Sequence, residues 1–182
     1  MAHPILHISS WMMMIPHLLT VYWYSGPFIL QWSYLCGPST SAWNHGTTNI
    51  FALWSDRLMM TLGCMIDLCF MVMLPWREGI VVFVFTAAEV ASYFCAKFTS
   101  GSERPLSTKG KSLTMKEIKL TPSLFHGLAH MFVSLSHFSM LYYYRHGSKG
   151  SIAEGGTTGN IFDYPFAFLI GTAPLIFYLI CL

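Results

Sequence analysis

Three histidines in the second half of the sequence have the type and spacing of metal or haem ligands. His126, His130 and His137 are separated by four and seven residues, which places them within about 40° on one face of a helix. Tyr144 continues the same stripe. Neutral imidazole is the commonest metal ligand, and residues i and i+4 of a helix can chelate one ion. A polar seam packed against a partner protein is the simpler interpretation. We favour it, and no metal is predicted.

Two carboxyl groups, those of Glu89 and Asp67, fall inside apolar segments. Ionisable groups at such positions are costly in a bilayer and usually face the interior of a helix bundle. Glu89 is either a group associated with protons or lipid headgroups, or a neutral carboxyl group that bonds a neighbouring helix. For Asp67 the second interpretation is favoured. The sequence has no carboxylate pair at di-iron spacing, no phosphate-binding glycine loop and no Ser/His/Asp arrangement, so no catalytic residue is predicted.

The elements that carry these residues are predicted to be membrane helices. The chain has 182 residues, of which 54% are hydrophobic and 10% charged, which excludes a soluble globular domain. The net charge of +2 is dispersed, which excludes a nucleic-acid-binding surface. We expect an all-α polytopic membrane protein with a single membrane domain and about five transmembrane helices. The predicted spans are 11–36, 50–76, 79–98, 122–145 and 161–182, with Pro16 and Gly26-Pro27 kinking the first.

The connections between these spans predict their arrangement. Only residues 75–78 separate the second and third spans, which predicts an adjacent antiparallel pair. Residues 99–121 form the largest, basic loop. Five crossings would place the two termini on opposite faces, with three basic residues on the side of Met1 and seven on the other. The positive-inside rule then places the basic loop in the cytoplasm or matrix and Met1 outside. The five cysteines lack ligand-like spacing and are expected to be buried thiols.

Four stretches of the sequence together resemble a known family. Two of them, residues 76–79 and 82–90, resemble the third helix of cytochrome c oxidase subunit III. They contain a tryptophan and an arginine, followed by a phenylalanine-rich run that reaches Glu-Val. Residues 125–130, Phe-His-Gly-Leu-Ala-His, are similar to the Phe-His-Gly-Leu-His stretch of its penultimate helix. Residues 3–11 are similar to its His-Pro-x-His opening, which a Ser-Pro-Trp sequence follows. That family has seven crossings, so this chain would be a shortened member.

The resemblance implies a non-catalytic core subunit of a respiratory-chain complex in the mitochondrial or bacterial inner membrane. Such a subunit has no redox cofactor of its own. It flanks the catalytic subunit, binds structural phospholipids and supports proton uptake. Its partners would be the other subunits of the complex and phospholipids. The residues carried over by the resemblance are Glu89, Arg77 and His126. In that family the N-terminus faces the matrix. This is opposite to the position of Met1 that the count of basic residues predicts.

Two alternatives remain open. The chain could be a haem b-binding membrane anchor of a succinate dehydrogenase-like complex, in which His126 or His130 pairs with His17 and electrons pass to quinone. It could also be a lineage-specific structural subunit of a respiratory or ATP-synthase complex. Under the favoured interpretation the histidine stripe faces protein, Glu89 faces a lipid-filled or hydrated crevice, and a phospholipid phosphate lies near Arg77.

Overall fold

The computed structural model describes residues 3–24, 26–100 and 120–146. Within these ranges the chain forms five α-helices and no strand, so the all-α prediction is confirmed. The helices are α1 (Pro4–Trp23), α2 (Phe28–Gly46), α3 (Ile50–Met71), α4 (Trp76–Ser100) and α5 (Leu120–His146). The predicted span 161–182 and most of the basic loop lie outside the described residues.

The first predicted span, 11–36, is where the structure differs most from the sequence prediction. Two helices, α1 and α2, take the place of one bent helix. Their antiparallel pairing is shown by the amide of His3, which donates to the carbonyl of His45 at 3.0 Å. The chain reverses at Gly26-Pro27 because a residue before proline avoids the α conformation. Pro16, expected to kink the helix, lies inside α1.

Side chains at the helix ends explain where several elements begin. His3 precedes α1, and its Nδ1 accepts a hydrogen bond from the amide of Leu6 at 3.3 Å. Asn49 precedes α3 in the same way, with its side-chain oxygen accepting from the amide of Phe51 at 2.8 Å. These are N-caps, which satisfy backbone donors that have no partner within the helix. The third and fourth predicted spans correspond to α4 and α5 with ends displaced by one to three residues.

The five helices run alternately up and down. We call one side of the bundle the lower end: helices α1, α3 and α5 begin there, and α2 and α4 finish there. The other side is the upper end. Helix α2 packs between α1 and α3, and α5 packs against both α1 and α4. The predicted α3–α4 hairpin is antiparallel, but α4 packs mainly on α5 and touches α3 little.

This arrangement also changes the expected position of the N-terminus. Because α1 and α2 form a hairpin, the start of α1 lies at the lower end. The ends of α4 and α5 that residues 101–119 join lie there too. The expectation that the N-terminus and the basic loop lie on opposite faces is therefore wrong for the described helices. It assumed a single crossing before Ile50, where the structure has two helices.

The interior of the bundle holds many polar side chains beside an apolar core, and many large apolar side chains lie on its outside. The buried polar residues include histidines, serines and the two aspartates of the described residues, namely His17, Ser39, Ser41, Asn44, Asp56, Asp67, His130, Ser136 and His137. The exposed residues include Phe83, Val84, Phe94 and Phe98 on α4. By length and composition, α1 and α4 are apolar enough to cross a membrane. Of the described cysteines, Cys36 is buried as expected, whereas Cys64, Cys69 and Cys95 are exposed.

Candidate metal centre

Three histidines from two helices meet at the lower end of the bundle. His45 lies in the last turn of α2, and His126 and His130 lie on successive turns of α5. One ring nitrogen from each lies within 4.8 Å of the other two. The rings of His126 and His130 are 4.9 Å apart between centroids, and those of His45 and His126 are 5.1 Å apart. The spacing of four residues on α5 therefore forms one side of a histidine triad, and α2 supplies the third member.

Ser9 of α1 is a hydrogen-bond partner of one ring nitrogen of His130. The hydroxyl of Ser9 donates to the carbonyl of Leu6 at 2.9 Å. Its oxygen lies 2.9 Å from Nδ1 of His130 and, with its hydrogen already used, accepts the Nδ1 hydrogen. Nε2 of His130 then carries a lone pair, which is the form of imidazole that binds metals.

A second serine, Ser41 of α2, faces that lone pair. Ser10 donates to the carbonyl of Leu6 at 2.8 Å, and the hydroxyls of Ser10 and Ser41 are 3.1 Å apart. Either of these two hydroxyls can be the donor to the other. The Ser41 oxygen lies 3.5 Å from Nε2 of His130, and the Ser41 hydroxyl can donate to that nitrogen.

A buried carboxylate bonds the last turns of α2. Asp56 of α3 accepts a hydrogen bond from the side-chain amide of Asn44 at 2.6 Å. Asn44 directly precedes His45, and neighbouring residues of a helix point in different directions. Asp56 is buried at 7% exposure.

Helix α4 contacts the triad from the other side. The ring of Tyr93 meets the ring of His126 edge-on at a centroid distance of 5.8 Å. The ammonium group of Lys97 lies 5.3 Å above the centre of the Tyr93 ring. The site is therefore surrounded by α1, α2, α4 and α5, with a positive charge at its edge.

The predicted polar stripe of α5 divides into two groups, both of which pack against other helices of the same chain. His126 and His130 belong to the triad. His137 lies two turns higher, where it contacts His17 of α1 and Asp67 of α3. Tyr144 meets Phe70 of α3 at a centroid distance of 6.3 Å.

The three residues assigned through the family resemblance lie in different places. His126 is at the lower end, and Arg77 is exposed at the upper end with its guanidinium group 5.4 Å above the Trp76 ring. Glu89 lies between them on α4, half-buried and within electrostatic range of His137 and Asp67. The structure does not bring these three into one site, and their predicted lipid and proton roles stay predictions.

The geometry around His17 does not favour the haem-anchor alternative. Its Nε2 lies 2.7 Å from Nδ1 of His137, and its Nδ1 lies 2.8 Å from the carbonyl of Met13. Both nitrogens are engaged in hydrogen bonds, so coordination of iron by His17 requires breaking at least one of them.

Sequence reasoning missed His45, Ser9 and Ser41. His45 falls between the predicted spans 11–36 and 50–76, so it was not considered as an intramembrane residue. The available signal was the polar half of α2, in which Ser41 and His45 are four residues apart and share a face. Protein-family models, curated proteins and solved structures were all compared with the chain, and none matches.

Proposed function

We propose that the chain is a membrane-embedded metalloenzyme in which His45, His126 and His130 bind one Zn²⁺ ion and support hydrolysis. The observation that carries the proposal is the convergence of their ring nitrogens within 4.8 Å. Zinc sites with three protein ligands and an open fourth position are typical of catalytic centres, whereas structural sites have four.

The burial of His130 and its contact with Ser9 support a cation at this position. In a tetrahedral zinc site with bonds of about 2.1 Å, ligand atoms lie about 3.4 Å apart. The three ring nitrogens lie within 4.8 Å of one another, so the rings would have to draw closer together to hold one ion.

The distribution of polar and apolar side chains supports placing this site in a bilayer. Helix α1, with 20 residues, is about 30 Å long, the thickness of the hydrocarbon core. The lower end carries Arg57 and Lys97, and the helix ends joined by the basic segment 101–119 lie there as well. The positive-inside rule therefore assigns the triad to the cytoplasmic or matrix side.

The reaction that suits these residues is hydrolysis of a carboxylic ester or amide. Zinc in a three-histidine site supplies a water molecule that ionises near neutral pH and polarises a carbonyl group. Asp56, a buried carboxylate bonded to the residue before His45, would accept the proton of that water and return it to the leaving alcohol or amine.

Metal analysis of the purified full-length protein tests the metal centre. We expect about one zinc per chain after dialysis against a weak chelator, and less than a tenth of that for His130→Ala and His126→Ala. His146→Ala is the matched control because His146 is an exposed histidine at the far end of the same helix, and its zinc content should equal that of the wild type. Wild-type protein without zinc, or equal zinc in all variants, would contradict the proposal.

Activity is tested with a fluorogenic ester of a long-chain fatty acid in mixed micelles. We expect hydrolysis that disappears on zinc removal and returns on zinc addition. Asp56→Asn should retain zinc and lose at least 100-fold in rate, because loss of a general base typically removes 10²- to 10⁴-fold. Hydrolysis that survives in His130→Ala would show that the activity arises elsewhere.

The core-subunit function expected from the sequence is a second proposal. It is supported by Arg77, which is exposed beside Trp76 at the upper end, where a cation and an aromatic ring suit a phospholipid headgroup. Under this proposal the chain lies in a mitochondrial or bacterial inner membrane with other respiratory subunits.

Gentle purification from native membranes separates the two proposals. A respiratory subunit should purify with haem-containing partners, seen in a dithionite-reduced minus oxidised spectrum, and with bound phospholipid. Arg77→Ala should reduce phospholipid content and loosen the subunit without abolishing electron transfer. A chain that purifies alone with zinc and no haem would support the metalloenzyme.

A further inference from the structure

A second group of buried polar side chains lies above the histidine triad and joins three helices. Asp67 of α3, His137 of α5 and His17 of α1 form a continuous row. Nε2 of His137 lies 2.9 Å from Oδ2 of Asp67. Nδ1 of His137 lies 2.7 Å from Nε2 of His17. We call these three residues the central row, and all three are buried.

One end of the central row fixes the position of a hydrogen. Nδ1 of His17 lies 2.8 Å from the carbonyl oxygen of Met13, which can only accept. Nδ1 of His17 therefore carries a hydrogen. If His17 is neutral, its Nε2 has none, and the hydrogen between the two histidines belongs to Nδ1 of His137.

Counting hydrogens along the row then leaves one contact unfilled. The three contacts are His17 to Met13, His17 to His137, and His137 to Asp67. Each needs one hydrogen, and two neutral imidazoles supply only two. With an ionised Asp67, two lone pairs would face each other at 2.7 or 2.9 Å inside the bundle. One additional proton resolves this, either on Asp67 or on one of the rings.

The groups around the central row favour keeping that proton. The ring of Tyr34 from α2 stacks on His137 at 3.7 Å between centroids. Glu89 of α4 and Cys64 of α3 lie within electrostatic range of Asp67. None of these groups carries a positive charge. The Tyr34 hydroxyl also lies in electrostatic range of Asp67, but it donates to the sulfur of Met140 at 3.0 Å, and Oδ1 of Asp67 is buried without a hydrogen-bond partner among the described residues. Without the proton the row would have an uncompensated negative charge in a dry environment.

We propose that Asp67, His137 and His17 form a buried proton-binding site that holds one proton, shared among three helices. The proton can occupy the carboxyl oxygen, the His137 ring or the His17 ring by short transfers along hydrogen bonds already in place. The row thus connects the α3 side of the bundle with the α1 side. It does not include a residue of the zinc triad, so it does not depend on the metalloenzyme proposal.

The proton makes folding depend on pH with a defined sign. Above about pH 7.5 an unfolded chain has an ionised aspartate and neutral histidines. The folded chain then binds one proton more than the unfolded chain, so its stability falls as pH rises. The unfolding equilibrium constant should increase about tenfold per pH unit until the folded protein also releases the proton.

Asp67→Asn is the decisive variant. The asparagine amide donates a hydrogen to Nε2 of His137, so two neutral imidazoles then fill all three contacts without a bound proton. We expect this variant to fold. Its unfolding equilibrium constant, measured by reversible unfolding in mixed micelles, should no longer increase tenfold per pH unit between pH 7.5 and 9.5. Asp56→Asn is the matched control because Asp56 is a buried aspartate outside the row. Its unfolding equilibrium constant should keep the pH dependence of the wild type.

A spectroscopic measurement on the wild-type protein keeps the test independent of variant folding. At pH 8.5 we expect either an imidazolium ring in the ¹⁵N spectrum or a protonated carboxyl band in the infrared spectrum, removed in Asp67→Asn. Two neutral rings with an ionised Asp67, or an equal pH dependence in wild type and Asp67→Asn, would overturn the proposal. Zinc content should be equal in wild type and Asp67→Asn, so failure of one proposal leaves the other unaffected.

Discussion

At the scale of single residues, Ser9 is the hydrogen-bond partner of Nδ1 of His130, a ligand in the proposed zinc site. Its oxygen accepts the Nδ1 hydrogen at 2.9 Å while its own hydrogen is bonded to the carbonyl of Leu6. Such outer partners fix the tautomer and orientation of a ligating histidine. The serine is a positioning residue, because no contact with the metal position is required of it.

We expect Ser9→Ala to weaken zinc binding about 10- to 100-fold, the usual loss when an outer partner of a ligand is removed. Competition with a chromogenic chelator measures the change. Thr61→Ala is the control, since Thr61 is an exposed residue of α3 whose hydroxyl bonds the carbonyl of Arg57 in its own helix. A Ser9 variant with wild-type zinc affinity would show that the tautomer is determined in some other way.

At the scale of elements, the connection between α1 and α2 brings His45 to the triad. Gly26 in this connection lies against α5, and its carbonyl accepts a hydrogen bond from the side chain of Gln31 at 2.7 Å. A Cβ atom at Gly26 would lie 2.6 Å from a methyl carbon of Leu141, which is fully buried. The hairpin therefore depends on a small residue at its turn.

We predict that Gly26→Ala lowers the free energy of unfolding by about 1–3 kcal/mol, the range for overpacking a buried contact. Gly37→Ala is the control because nothing lies within 4 Å of an added Cβ there, and alanine is the better helix former. Unfolding in mixed micelles compares the two. Equal stability of both variants would mean that the Leu141 side chain moves aside without loss.

At the scale of the whole molecule, the α1–α2 hairpin determines which end of the bundle the start of α1 occupies. The amide of His3 bonds the carbonyl of His45, so the start of α1 and the 47–49 connection lie at the same end. A single helix over 11–36 would place them at opposite ends.

Labelling of single cysteines in sealed vesicles tests this topology. In a background with the native cysteines replaced, we expect Thr48→Cys and an N-terminal tag to be accessible from the same side, and Met73→Cys from the other. The physical reason is that α3 runs from the lower to the upper end of the bundle between residues 48 and 73. Thr48→Cys and the N-terminal tag on opposite sides would support the single bent crossing instead.

The sequence by itself determined the helical class, most helix positions and the face of α5 that carries the histidines. These follow from local composition and from the 3.6-residue period, which act over a few turns. It did not determine that the first apolar stretch is two helices, because a Gly-Pro pair is compatible with either a kink or a reversal.

Only the tertiary structure brought His45 to His126 and His130, and separated His137 into the central row with Asp67 and His17. These pairs are far apart in sequence; His137 and Asp67 are separated by 70 residues and His17 and His137 by 120. Which side chains meet over such separations depends on the order and direction of packed helices. The physical reason is that a helix period specifies a face but not the neighbour that covers it.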